Sequence, residues 1–181
     1  MNRLDVNLIN IFSSYHVWEE SGRYFFETDY ELKYFVDFSL EDDPRYMAYW
    51  FNLVNMSGAA SPKDMKIWQT IFCIIEEFFR KNPDILLYIC STAGEQQAQR
   101  ARLFSYWFHK AGQQERYFFK AAEIKGDDPN RKNNKEYVAI IVPRNHPHAE
   151  EALAFFDEET AMFNAMKPWS WGSDHGVGSS T

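Results

Sequence analysis

Three groups of residues have the types and spacing to do chemistry. Asn55-Met56-Ser57-Gly58-Ala59-Ala60, running into Ser61, is a stretch of small residues ahead of a helical pattern. Small side chains let a backbone approach a diphosphate, whose charge would meet free N–H groups and the positive end of a helix dipole. The same stretch also reads as a plain loop. Glu76 and Glu77 fall on the polar side of the following helix. A carboxylate raised by burial could take a proton from an amine there, although Arg80 close by makes a solvated, ion-paired surface the simpler reading. Arg102, Tyr106 and His109 stand at i, i+4 and i+7 of a later helix. That spacing suits anion binding or proton transfer, and equally an ordinary polar face.

Other constellations carry less. His146-Pro147-His148 with Glu150 and Glu151 has metal-ligand types but no third and fourth ligand at known spacing, so no metal is expected. Cys73 and Cys90 show no C-x-x-C spacing and read as free thiols within apolar segments. Interleaved strand aromatics (Tyr24, Phe26, Tyr34, Tyr46, Tyr49) resemble base-stacking platforms, but their alternation suits a core better. With Lys+Arg 19 against Asp+Glu 26, the net charge of −7 argues against a protein that neutralises nucleic-acid backbones. The acidic residues Glu150, Glu151, Asp157, Glu158 and Glu159 could face the basic Arg131, Lys132 and Lys135 of a second copy, as a homodimer.

The elements that must position these residues follow from periodicity. Aromatic runs at Tyr15–Glu19 and Arg23–Thr28 flank the turn Glu20-Ser21-Gly22, and Leu32–Leu40 and Tyr46–Val54 complete a meander. Ser61-Pro62-Lys63-Asp64 then offers a Ser cap and a first-turn Pro, opening a helix that stops at Asn82-Pro83. Ile85–Cys90 is a continuous apolar run, as expected of a strand buried on both faces. A second helix from about Glu95 to Ala111 ends at Gly112, strands follow at Tyr117–Ile124 and Glu136–Val142, and a third helix opens at His146-Pro147. The expected class is α+β: one mixed, mostly antiparallel sheet with helices packed on it, in the order β-β-β-α-β-α-β-β-α, with room for one extra strand in front. Residues 1–167 form a single domain on this reading, and 168–181 a flexible C-terminal tail. Apolar runs reach only about five or six residues, far short of the 18 or so that span a bilayer. No secretory signal opens the chain, and a cytoplasmic protein without membrane association is expected.

The order resembles the core of the Gcn5-related N-acetyltransferase fold over roughly Arg23–Pro143. That family binds a pyrophosphate at a turn Gln/Arg-x-x-Gly-x-Gly/Ala, which Asn55–Ala60 matches at Gly58 and Ala60 but not at Asn55. Arg102–Gly112 resembles the family's helix ending in Leu-Tyr-x-x-x-Gly-Phe. There a Tyr four residues before the Gly protonates the leaving thiolate, whereas Phe108 stands at that position here, and Tyr106 is about 200° away around the helix. The resemblance implies acetyl-CoA or another acyl-CoA as cofactor, held by Gly58, Ala59, Ala60 and Ser61, with a small-molecule or protein amine as acceptor. Tyr106 and Glu76 are the candidate catalytic groups. The missing acid and the short N-terminus suit a degenerate or repurposed member. The alternative is a non-catalytic protein-interaction module. Over the whole chain, Tyr24-x-Phe26-x-Thr28, Thr70–Phe79 and Arg100–Phe108 also resemble an uncharacterised bacterial family, mainly from Bacteroidota, with no assigned activity.

Overall fold

The computed structural model describes residues 1–41, 46–58, 63–90, 104–106, 108–109, 112–125 and 135–166. Its chain order is α1 (Val6–Phe12), β1 (Val17–Glu20), β2 (Arg23–Glu27), β3 (Lys33–Leu40), β4 (Ala48–Asn55), α2 (Met65–Lys81) and β5 (Ile85–Cys90). A 3-10 turn (Gln113–Glu115), β6 (Tyr117–Lys125), β7 (Lys135–Pro143) and α3 (Ala149–Ala165) follow. Seven strands make one sheet in the order β1-β2-β3-β4-β5-β7-β6. β4 and β5 run parallel, and the other neighbours are antiparallel. The α+β class and the mostly antiparallel sheet are as the sequence implied.

Alternation along the strands divides the core in two. Tyr24, Phe26, Tyr34, Tyr49, Phe51 and Tyr88 point to one face, under α1 and α2. Ala48, Ile85, Val138, Ile140 and Val142 point to the other, under α3. α2 supplies Ile71, Ile74, Ile75 and Phe78, all fully buried, each stabilising the fold by roughly 1.5–3 kcal/mol. The strand aromatics Tyr24, Phe26, Tyr34 and Tyr49 are therefore core, as their alternation indicated, whereas Tyr46 lies on the α3 face near His148.

Three features differ from the sequence reading. The first helix was not foreseen: Asp5 caps α1, accepting from Asn7 N at 3.0 Å and Leu8 N at 3.3 Å. α1 then covers the polar side of α2. Asn2 N donates to Asn82 Oδ1 at 2.7 Å, Leu4 N to the Tyr24 hydroxyl at 3.0 Å, Asp5 N to Glu77 Oε1 at 2.9 Å and Tyr15 N to Thr70 Oγ1 at 3.1 Å. Glu77 and Thr70 are consequently buried, not solvated. Next, α2 begins at Met65 with Asp64 as its cap, accepting from Lys66 N at 2.9 Å; the Ser61-Pro62 signal lies outside the described residues. Finally, α3 begins at Ala149, with His148 at the cap position and no side chain there bonding the first-turn amides.

α3 covers the second face beside β6 and β7. Over β1–β3 that face carries Trp18, Phe25 and Phe35 instead, with ring centroids 5.8 Å and 5.7 Å apart. Arg23 lies 4.8 Å from the Phe35 ring, and Lys33 lies 5.3 Å from both Trp18 and Phe25, so long basic side chains shield the aromatics. Among the described residues, no helix is long and apolar enough to cross a membrane.

Candidate functional site

The parallel pair lies beside the turn that the resemblance points to. β4 and β5 pair over four positions, from Ala48↔Ile85 to Phe51↔Tyr88. β4 then continues to Asn55 alongside β3, and β5 continues to Cys90 alongside β7. The strands thus part at their C-terminal ends, the end of a parallel sheet where ligands commonly sit. Aromatic packing fills the base of the gap: Phe104 stacks on Tyr88 at 4.6 Å and approaches Phe51 at 6.1 Å and Phe72 at 5.8 Å.

The turn after β4 sits at this end. Gly58 has φ +65°, a left-handed conformation that favours glycine, and a Cβ there would meet nothing within 4 Å. The turn is held by Asn55, whose Oδ1 accepts from Ser57 N at 3.1 Å and Ser57 Oγ at 2.6 Å. Ala59, Ala60 and Ser61 lie outside the described residues. Beyond them, the start of α2 is already charged. Asp64 caps the helix and accepts from the Tyr15 hydroxyl, while Lys66 Nζ binds Asp29 Oδ2 at 2.6 Å. Lys66 holds the Asp29 carboxyl below its ordinary range, and burial with the Asp64 hydrogen bond pushes the Tyr15 phenol up to about 12. A diphosphate at this helix start would therefore face a carboxylate.

The two candidate catalytic groups are not brought there together. Glu76 lies three turns further along α2, about 18 Å from Asp64. Its Oε2 accepts from Arg116 Nη1 at 2.8 Å, and its Oε1 is buried with no hydrogen-bond partner among the described residues. Burial, with Glu76 as the second cause, raises both neighbouring acids: the Cys73 thiol moves up and the Tyr117 phenol reaches about 12. Tyr106 is half exposed, while Phe104 and Phe108 on the same helical segment are buried. Phe108 stacks on Phe119 at 5.0 Å, so the position where the resemblance requires a phenol packs a phenyl ring into the core. His109 is exposed and Arg102 lies outside the described residues.

The remaining sequence candidates separate too. His148 Nδ1 lies 3.1 Å from Glu151 Oε2, and His146 Nδ1 accepts from His148 N at 3.2 Å. No group of three or more His, Cys, Asp or Glu side chains among the described residues is placed to hold a metal. Arg131 and Lys132 lie outside the described residues.

A feature missed in the sequence lies on the opposite face of the sheet. Between the β4–β5–β7–β6 half and α3 is a cavity of about 470 Å³, walled by Trp50, Leu87, Ile140 and Phe156 among others. The small residues Ala48 and Ala152 line it, from β4 and α3 respectively. Their distance in sequence hides the coincidence.

Family comparison takes in much of this architecture. A model described as a family of unknown function (DUF6169) matches residues 63–158, more than half of the chain. No curated protein matches the chain. The matched segment starts beside the cap of α2, contains β5 and the strands β6 and β7, and ends within α3. By that match, the chain belongs to the family of unknown function DUF6169.

Proposed function

We propose that the protein binds an acyl-CoA where β4 and β5 part, as an N-acyltransferase-like protein whose acceptor chemistry is degenerate. One observation carries the reading: a parallel pair that stops at Phe51 and Tyr88 while both strands continue, within the order β1-β2-β3-β4-β5-β7-β6. The resemblance to Gcn5-related N-acetyltransferases leads to the same place. A pantetheine chain carries amides, and the facing backbone edges of two parted strands can take their hydrogen bonds. The diphosphate would lie by the Gly58 turn. Asp64 opposes it there, so affinity is held low, and Phe108 supplies no proton for a departing thiolate.

The test is the melting temperature with and without about 1 mM CoA or acetyl-CoA. A ligand at about 100 times its Kd adds roughly 2.7 kcal/mol. For a chain of this size, that raises Tm by roughly 5–10 °C. Asp64→Asn keeps a capping side chain but removes the charge, and the shift is expected to grow. In Gly58→Trp the shift is expected to vanish. No shift with either ligand, in wild type or in Asp64→Asn, would refute the reading.

A second reading, a non-catalytic interaction module, has an observation of its own. Phe12, Tyr30, Met56 and Met65 are each more than half exposed. Light scattering tests it: a module that meets itself through these side chains is associated in the wild type and becomes monomeric after their replacement by Ser, whether or not CoA is present.

A further inference from the structure

The cavity between α3 and the sheet stands apart from the acyl-CoA reading, on the other face. Its size, about 470 Å³, falls within the range of small-molecule sites. Ala48 and Ala152 leave the space, Leu87, Ile140 and Phe156 make the walls apolar, and Trp50 supplies a ring. The frame around it is tied down. Near the end of α3, Asn164 Oδ1 accepts from Lys125 N at 3.1 Å and Asn164 Nδ2 donates to the Glu123 carbonyl at 2.8 Å. One carboxamide thus pairs the β6 backbone as a neighbouring strand would. Two turns earlier on α3, Asp157 accepts from Lys120 of β6. These bonds hold α3 where it stands, so the space left by the two alanines stays open.

The polar groups of the lining are engaged within the chain. Trp50 Nε1 donates to Glu41, and Lys125 Nζ donates to the Asn164 carbonyl at 2.8 Å. The Thr160 hydroxyl donates to the Phe156 carbonyl at 2.8 Å, and Glu136 has partners too. An ion entering the cavity would lose its water against apolar walls, with these groups already taken. An uncharged apolar molecule carries no such penalty, and it removes the walls from water.

We infer that this cavity is a binding site for an uncharged, apolar small molecule, seated between Ala48 on the sheet and Ala152 on α3. Selection is by the absence of charge: an anion and a cation of the same hydrocarbon length are both disfavoured.

The full chain is titrated by calorimetry with 1-octanol, octanoate and n-octylamine, which share a chain length and differ in charge, each below aggregation. Octanol is expected to bind saturably and at least tenfold tighter than either ion. Ala152→Phe fills the space from the helix and Ala48→Phe fills it from the sheet. Each is expected to weaken octanol at least tenfold with the far-ultraviolet circular dichroism of the wild type retained. Two variants on opposite walls guard against one that fails to fold, and the comparison of probes on the wild type needs neither. Glu159, which also lines the cavity, is replaced by Gln to isolate its charge, and octanol affinity is expected to stay within twofold. No saturable binding of octanol, an ion bound as tightly as the alcohol, or undiminished octanol affinity in a folded Ala152→Phe or Ala48→Phe overturns the inference.

Discussion

Glu77 tests the packing of α1 on α2 most directly. Its side chain is 3% exposed, and it accepts from Asp5 N at 2.9 Å, Arg80 Nε at 2.6 Å and Arg80 Nη2 at 2.7 Å. Glu77→Ala leaves the Asp5 amide without an acceptor, which costs about 1–3 kcal/mol. The pair with Arg80, whose side chain is 48% exposed, adds about 1 kcal/mol. The sum, about 2–4 kcal/mol, corresponds to a fall in Tm of about 4–16 °C for a chain of this size. Glu77→Gln keeps an oxygen for Asp5 N and loses mainly the charge, so about 1 kcal/mol is expected. Urea denaturation followed by far-ultraviolet circular dichroism gives both values. Amide exchange then asks whether the loss is local, since the amides of α1 should lose protection in Glu77→Ala before those of the sheet. A Glu77→Ala loss under about 0.5 kcal/mol, the range of an unremarkable surface change, would refute the reasoning. So would Glu77→Gln costing as much as Glu77→Ala.

Gly58→Ala is expected to lose about 1 kcal/mol in urea midpoint analysis from backbone strain alone, since its Cβ enters open space. Gly58→Asn should lose less, because Asn tolerates the left-handed region. Tyr15 and Tyr117 both ionise at about 12, above the ordinary 10, because burial disfavours the phenolate. The native state therefore holds two protons more firmly than the unfolded chain. Their stabilisation is complete below pH 10 and lost as pH rises towards 12. Absorbance at about 295 nm should show these phenols titrating late and together with alkaline unfolding; in Tyr117→Phe one late phenol should disappear.

Much of the sheet was legible because the signal is local. The alternation in β2 and β3, the turn at Ser21-Gly22 and the apolar run of β5 each lie within a few residues, and the strands form there. α1 was not legible. Val6–Phe12 has only seven residues, too short for a clear helical period, and the Asp5 cap was its one cue. That omission propagated: without α1, the stripe holding Thr70 and Glu77 reads as solvent-facing. The turn at Gly58, where the resemblance sets a cofactor, lies at the end of β4 beyond its pairing with β5. The chemistry around it was not legible, because Asp64 and Tyr15 meet across 49 residues and Phe108 turns inward. The cavity depends on two alanines with no sequence relation, on elements that touch only once the chain has folded.

The parallel pairing of β4 and β5 also sets an order of events during synthesis. β1 to β4 form a meander from neighbours in sequence and can assemble as soon as they leave the ribosome. The β4 edge then waits for β5, which arrives only after the whole of α2, and β5 in turn waits for β7, which follows β6. Non-local closure of this kind is slow, and an unpaired strand edge is open to intermolecular pairing while it lasts. A nascent chain stalled between Cys90 and Lys135 therefore presents the β5 edge without its β7 partner, and chaperone dependence should peak over that window of chain length.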